Sequence, residues 1–363
     1  MSNLLKNKST WLQSEIETPL ACSACGKTEL LPKYTGVEDW TFGNTAGSWS
    51  YKICSNCASL NLAPRPKEEF IGRAYTSYYT HGASDQNDSV ATKTLKRNKP
   101  RKKLRDYFKK IYVRNRYLLG KETPMLTKIY FSWKPNKQLE IDQLYRHVPA
   151  LQHYVNQGVS PRLLDVGCGD GIFLERMAEL GWNVLGCDFD VKAVRGCKQK
   201  GLVVELGGLE KFDGEQELFE VITMSHVIEH VYQPLKMMQK AMRLLKPGGI
   251  LWCETPNANS AIHQRYGSYW RGLEAPRHVI IFTTESLKTL VKNAGFEEVH
   301  PLQRLNPTEK ILAASEEMAN GRLPGKIYRV RSRALKKIAK QIDRTAFRCP
   351  EAKEFITLCA IKA

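Results

Sequence analysis

The stretch Leu163-Leu164-Asp165-Val166-Gly167-Cys168-Gly169-Asp170-Gly171 decides the fold. Apolar residues closing on an acid read as a buried strand, and the glycines after them read as a tight turn into a helix. Such a turn lets backbone approach a ligand because no Cβ intervenes, and it aims helix N-terminal amides at that ligand. The spacing is G-x-G-x-G, not the G-x-G-x-x-G of dinucleotide-binding turns. Asp165 stands at the strand end, where it would repel a pyrophosphate and hold a cofactor ammonium directly or through water. Asp188 closes the next predicted strand, 17 residues beyond Gly171, placed to accept hydrogen bonds from both hydroxyls of a ribose.

Outward from this run, strands are predicted at 162–166, 183–187, 202–206, 220–224, 250–254, 297–303 and 354–361. The first five alternate with helical stretches, which gives an α/β parallel sheet wound on both sides. Residues 306–344 fall between the last two strands and read as a basic insertion in the closing hairpin. Lys246-Pro247-Gly248-Gly249 reads as an architectural turn, with Pro ending a helix and glycines opening a strand. No internal repeat is visible.

Two further segments complete a pattern: Val221-Ile222-Thr223-Met224-Ser225-His226-Val227-Ile228-Glu229-His230 at the fourth strand, and Leu244-Leu245-Lys246-Pro247-Gly248-Gly249-Ile250-Leu251 before the fifth. With the glycine run, they resemble the class I S-adenosylmethionine-dependent methyltransferases over about residues 140 to 363. The resemblance implies a Rossmann-like doubly wound sheet of seven strands, the last antiparallel, with the cofactor across the C-terminal strand ends. Carried over by position, it implies Asp165, Gly167 and Gly169 at the methionine part, Asp188 at the ribose and Phe189 at the adenine face. Met224, Ser225 and His226 fall on the sulfonium side, and Leu209 and Glu210 border the adenine.

Transfer from a sulfonium is an in-line displacement from an activated donor, so a base is needed only when the acceptor is a weakly acidic hydroxyl. Histidine suits that role at cellular pH. His278 and His230 are the candidate catalytic residues, each also open to a structural hydrogen-bonding role. In the similar quinone-biosynthesis O-methyltransferases the positions matching 226–230 form part of a divalent-metal site, but His226 stands where those carry Glu, which argues against a metal here.

The segment from Trp270 to Thr283, with Pro276-Arg277-His278 at its centre, lies where this superfamily builds its acceptor pocket. Its pattern is similar to small-molecule and glycan-pathway methyltransferases, several of which begin with a four-cysteine ribbon and a tyrosine-rich segment. Arg277 has two open readings, as a holder of an acceptor anion or as an ion-pair partner of Glu274. Similar sugar C-methyltransferases carry a large further C-terminal domain, and this sequence runs to Ala363 without one. The expected reaction is therefore O-methylation of a sugar, nucleotide-sugar, surface-glycan or related small metabolite, with N-methylation as the alternative.

At the N-terminus, Cys22-x2-Cys25 and Cys54-x2-Cys57 are two knuckles 28 residues apart. The spacing predicts a zinc ribbon over 20–66 with a structural, closed four-thiolate site; rubredoxin-like iron is the competitor. Trp40, Phe42, Trp49 and Tyr51, with Gly43 and Gly47, suit the hairpin between the knuckles. A tyrosine-rich and basic helical linker over 67–137 follows, before the methyltransferase domain at 138–363. Its Tyr75, Tyr78 and Tyr79 either line an acceptor pocket or cover apolar surface.

The net charge of +18 over 363 residues is not spread evenly. Residues 93–121 hold 13 Lys/Arg against one acid, and 321–344 hold nine against one, so the remainder is close to neutral. In the first segment Leu104, Tyr107, Phe108, Ile111, Tyr112, Leu118 and Leu119 recur at helical spacing. Such a helix packs on the catalytic domain, or lies on an anionic membrane or acidic glycan. The basic segments also keep an RNA or protein acceptor open, although Met224-Ser225-His226 is not the Asn/Asp-Pro-Pro-Tyr/Phe of adenine N-methyltransferases. A non-catalytic membrane-associated scaffold is the third reading, and the intact Asp165, glycines and Asp188 oppose it. With no membrane-spanning run and no signal peptide, the expectation is a cytoplasmic protein, with peripheral contact at the inner membrane face as an open alternative.

Overall fold

The structure is a computed structural model that describes residues 10–75, 100–118, 122–133, 160–302, 308–322 and 332–363. Its N-terminal part contains β1 (Ile16–Glu17), β2 (Leu30–Val37), β3 (Trp49–Cys54), β4 (Leu60–Leu62) and β5 (Arg65–Pro66). β2 and β3 form the expected hairpin, β4 adds beside β3, and β1 pairs with β5. Trp49 and Tyr51 alternate with half-buried residues along β3, and their buried side chains pack with Leu60 and Leu62.

Helices α1 (Pro100–Val113) and α2 (Met125–Ser132) follow. The apolar stripe expected in the basic segment lands partly on the catalytic body: Tyr112 and Val113 are buried with Phe131 against Leu163, Met177 and Trp182. Leu104 and Tyr107 of the same helix stay exposed. Tyr78, Tyr79, Leu119 and the side chain of Leu118 lie outside the described residues.

The catalytic body begins with β6 (Arg162–Val166), α3 (Ile172–Glu179), β7 (Asn183–Asp188), α4 (Val191–Gln199), β8 (Val204–Leu206) and β9 (Phe219–Ser225). It continues with α5 (Pro234–Leu244), β10 (Leu245–Pro256), α6 (Ala261–Tyr266), β11 (Ile280–Ile281), α7 (Thr284–Asn293) and β12 (Glu298–Pro301). The helices α8 (Thr308–Ala319) and α9 (Arg333–Arg348) precede β13 (Phe355–Ile361). Local chemistry sets the helix starts: the Asp190 carboxylate caps α4, and the Thr283 and Ser286 side chains form a reciprocal capping box on α7.

Seven strands form one sheet in the order β8-β7-β6-β9-β10-β13-β12. β13 runs antiparallel to both its neighbours, and the other contacts in the sheet are parallel. This is the expected Rossmann-like α/β sheet with its last strand reversed. Alternation along the strands feeds two cores: Leu163 and Val221 pack with α3 and α4, while Leu164 and Ile222 pack with α5 and α7. The Pro247-Gly248-Gly249 turn appears as a register shift inside β10, between Leu245 and Ile250. Between β6 and β9 the strand order reverses, and there a doubly wound sheet opens a crevice at its C-terminal strand ends.

The N-terminal sheet does not end with its own segment. β11 pairs antiparallel with β4, Ile280 opposite Asn61 and Ile281 opposite Leu60, so the small sheet runs β11-β4-β3-β2. Residues 20–66 and the acceptor-side segment therefore share one sheet. The insertion helices α8 and α9 bury Leu312 and Ala339 with Ile262 and Trp270 in the core beneath that sheet.

Candidate active site and four-cysteine cluster

Gly167, Gly169 and Gly171 all have left-handed backbone, with φ of +70°, +54° and +74°. A Cβ on Gly167 would stand 2.7 Å from Val227, and one on Gly171 would stand 2.6 Å from Leu202 and 2.8 Å from the Cys197 sulfur. A Cβ on Gly169 meets no protein atom within 4 Å, so the space beside its Cα is open. Asp188 reaches across to this turn: one oxygen accepts the Gly169 amide at 2.8 Å and the other the Asp190 amide at 2.8 Å.

Asp165 is buried and accepts a hydrogen bond from the Thr223 hydroxyl at 2.6 Å. Burial pushes its carboxyl up to about 7 despite that bond, with the nearby Asp188 charge adding to the rise. A buried acid so poised at the end of β6 suits a cationic partner. Phe189 presents a ring that is 73% exposed beside the Gly208 backbone. Glu210 folds back to accept the Gly208 amide at 2.7 Å, and Leu209 is a core residue. Met224 departs from its expected role in one respect. Its side chain is fully buried in the core, so only its backbone is available on the sulfonium side, next to exposed Ser225.

His226 has a left-handed backbone, φ +57°. Its Nδ1 lies 3.1 Å from Glu229, its Nε2 3.9 Å from Glu254, and its ring meets Phe355 edge-on at 4.7 Å. Burial works against its charge, but the Glu229 hydrogen bond and both carboxylates lift its pKa above the ordinary histidine value. Glu229 is buried and also accepts from Thr255 at 2.9 Å; burial alone would raise its carboxyl, but His226 pulls it down to about 2.

His230 sits in the next turn, its Nδ1 3.0 Å from the Arg277 carbonyl and 3.0 Å from the Tyr75 hydroxyl. A carbonyl only accepts, so Nδ1 carries the hydrogen and Nε2 keeps its lone pair. His278 lies beside it, ring centroids 4.7 Å apart, and donates Nδ1–H to the Gly272 carbonyl at 2.8 Å. Burial drops the His278 pKa to about 4, against the pull of Glu274, which keeps it neutral. The two predicted catalytic histidines thus come together from residues 230 and 278, with Tyr75 from the tyrosine-rich segment. Ligand atoms of Glu229, His230 and His278 all lie within 4.8 Å of one another.

Arg277 corrects one expectation. It is 0% exposed, and its guanidinium is spent on Asp39, Glu274 and the Ala74 carbonyl above the Phe42 ring. The side chain reaches no solvent and its charge is paired inside the fold, so the ion-pair reading is the one observed. Asp39 was not singled out in the sequence; an acid 238 residues from its partner leaves no local signal. Tyr51 was noted only as a hairpin aromatic, but its hydroxyl lies within 2.8 Å of the Leu273 and His278 carbonyls.

With this geometry, comparison with known proteins is informative. The family described as a methyltransferase domain matches residues 131–301. The ubiquinone biosynthesis O-methyltransferase of Actinobacillus pleuropneumoniae serotype 7 is 32% identical over 201 residues, which cover 51% of this chain and 80% of that protein. The chain belongs to the S-adenosylmethionine-dependent methyltransferases. A second relative of this methyltransferase, the ubiquinone biosynthesis O-methyltransferase of Cereibacter sphaeroides, is 35% identical over 150 residues, covering 38% of this chain and 61% of that protein. The match thus spans about three fifths of that relative's length. A solved S-adenosylmethionine-dependent methyltransferase from Archaeoglobus fulgidus is 20% identical, with a TM-score of 0.41 over 64% of this chain and 99% of that one.

The four predicted metal-ligating cysteines come together in the methyltransferase's N-terminal sheet. Cys22 and Cys57 sulfurs are 3.6 Å apart, as are Cys25 and Cys54, and all four lie within 4.8 Å of one another. Thiolates about 2.3 Å from a tetrahedral ion stand roughly 3.8 Å apart, so the cluster has the size such an ion needs. Each knuckle closes through a backbone turn, Gly26 to Cys22 and Ala58 to Cys54, and the Asn61 amide donates to the Cys22 sulfur at 3.5 Å. The cluster abuts the acceptor side: the Thr283 hydroxyl donates to the Cys57 carbonyl at 3.2 Å and Ser59 donates to Ser286 at 2.8 Å.

Proposed function

We propose that this methyltransferase methylates a hydroxyl oxygen of a small polar acceptor, of the sugar, nucleotide-sugar or surface-glycan kind, with His230 taking the hydroxyl proton. The observation that carries the proposal is the hydrogen bond from His230 Nδ1 to the Arg277 carbonyl, which fixes the tautomer with Nε2 free to accept. S-adenosylmethionine, when bound, supplies an electrophilic methyl already activated by the sulfonium charge. The chain's task is then to align the acceptor and accept one proton. His278, neutral because burial lowers its pKa, meets the His230 ring edge-to-face. The lifted His226, between Glu229 and Glu254, suits a donor to an acceptor oxygen. The polar groups of His226, His230 and Tyr75, drawn together around Glu229 and Arg277, suit an acceptor rich in hydroxyls. Asp165, Gly167, Gly169, Asp188 and Phe189 are the residues proposed to hold the cofactor.

A phenolic acceptor is the second reading, favoured by relatives of 32% and 35% identity named as ubiquinone biosynthesis O-methyltransferases. The two separate in one experiment. Purified protein is given methyl-labelled S-adenosylmethionine with free sugars, nucleotide sugars, an extracted glycan fraction and catechols, and the products are analysed by mass spectrometry. Label on a sugar hydroxyl supports the first reading and on a catechol the second; label on carbon or nitrogen sinks both. His230→Gln is expected to lower kcat at least a hundredfold with cofactor affinity within about twofold of wild type. Zinc is the proposed occupant of the four-cysteine cluster, in a structural role, with one zinc per chain expected by elemental analysis.

A further inference from the structure

Short helix α2 is apolar on the side that faces water. Met125, Leu126, Ile129 and Trp133, at its start, middle and C-terminal boundary, are 72%, 73%, 45% and 82% exposed. At 100° per residue these four positions fall on one face, while Thr127 and Phe131 on the opposite face are buried. The inward side is well partnered: Phe131 packs on Tyr112 at 4.8 Å, and Tyr130 stacks on Phe108 at 4.5 Å. The neighbouring α1 exposes Leu104, Tyr107 and Lys110, and the turn after it exposes Arg114. Among the described residues, six of the sixteen exposed large apolar side chains lie between 104 and 133, so this is a patch and not scatter.

Charge selects the occupant. Residues 100–118 carry eight Lys/Arg against the single acid Asp106. A second copy of the chain would set two such basic segments against each other, and a nucleic acid would leave the α2 stripe unused. An anionic bilayer satisfies both features, taking the apolar side chains to the depth of its acyl boundary and the lysines and arginines at its charged surface. Tyr107 and Trp133 are the side-chain types that settle at that boundary. No helix among the described residues is long and apolar enough to cross a membrane, so contact is in the plane of the surface. We infer that α1 and α2 form a peripheral docking surface for anionic phospholipid bilayers.

The test is flotation of the full-length protein with phosphatidylcholine vesicles and with vesicles containing about one third phosphatidylglycerol. Wild type is expected to bind the anionic vesicles at least tenfold better than the neutral ones and to be released by high salt. Leu126→Ser/Trp133→Ser and Lys110→Glu/Arg114→Glu are each expected to weaken binding at least tenfold, with unchanged thermal unfolding and cofactor affinity, since these side chains project into water. Equal binding to both vesicle types, or vesicle binding by the serine variant equal to wild type, overturns the inference. So does a concentration-dependent dimer in sedimentation that the serine variant abolishes, which would assign the patch to a second copy.

Discussion

Arg277 of the acceptor-side loop and Asp39 of the cysteine-bearing sheet form a fully buried ion pair, Nη2 to Oδ1 2.5 Å and Nη1 to Oδ2 3.1 Å. The Asp39 carboxylate also accepts the Phe42, Asn44 and Thr45 amides, so one acid shapes its own loop and anchors another. The carbonyl of Arg277 orients His230 and the carbonyl of His278 receives Tyr51. The position of both histidines thus depends on residues far upstream.

Removing Asp39 leaves a buried guanidinium short of its partner, which typically costs about 3–5 kcal/mol. Asp39→Ala is expected to lose that much in urea unfolding. Asp39→Leu/Arg277→Leu is expected to lose less than its two single changes together, because neither charge is then stranded. Additive losses in the double-mutant cycle would show that the pair is not coupled.

Cofactor affinity is expected to rise with pH across neutrality. In the free protein Asp165 titrates near 7, so below that pH binding an ammonium must first expel its proton, and above it the carboxylate is ready. Calorimetry in buffers of different ionisation enthalpy should show proton release near pH 6.5 that Asp165→Asn eliminates.

The glycines should respond differently to alanine. At Gly169 the cost is the left-handed backbone alone, about 1–2 kcal/mol, with a loss of cofactor affinity of about tenfold or more. Gly171→Ala adds a collision with Leu202 and Cys197, so its loss of stability is expected to exceed that of Gly169→Ala in thermal melts of the cofactor-free protein.

His278 makes stability sensitive to acid. Its folded pKa of about 4 lies below the ordinary value near 6.5, so the stability it contributes is complete above about 6.5 and drains away as pH falls toward 4. His226 shifts the opposite way, its contribution being complete below about 6.5 and lost as pH rises through its folded value. Melting temperature followed from pH 7 to 4 should fall less steeply in His278→Phe than in wild type.

Metal removal should be felt beyond the cysteines. Because β4 pairs with β11 and the Cys57 carbonyl is bonded to Thr283, Cys54→Ser or chelation is expected to speed hydrogen exchange at residues 278–283 as well as around 54–62. Faster exchange confined to the cysteine segment would count against this coupling.

The strand, the glycine turn and the acid closing the next strand are legible in the sequence because they are contiguous, within 24 residues from 165 to 188. Strand periodicity marks the positions of the strands for the same reason, while the reversed seven-stranded sheet is what the family resemblance implies. The cluster around the two histidines is assembled from Asp39, Tyr51, Tyr75, Glu229, His230, Glu274 and His278, joined by bonds between residues 155 to 238 positions apart. No local pattern encodes such pairings. β11 escaped notice because two residues are too few to show a period, and Arg277 was ambiguous because the acid that claims it lies in another segment.

The pairing of β4 with β11 also bears on synthesis. Along the nascent chain, Leu60–Leu62 is made more than two hundred residues before Ile280–Ile281 arrives to cover its edge. Until then the cysteine sheet holds an open strand with a buried-type sequence, the kind of edge on which other chains can add. A ribosome-bound fragment ending before residue 280 would therefore carry that edge uncovered, and an ion held by the four cysteines would tie down the turn that leads into the strand.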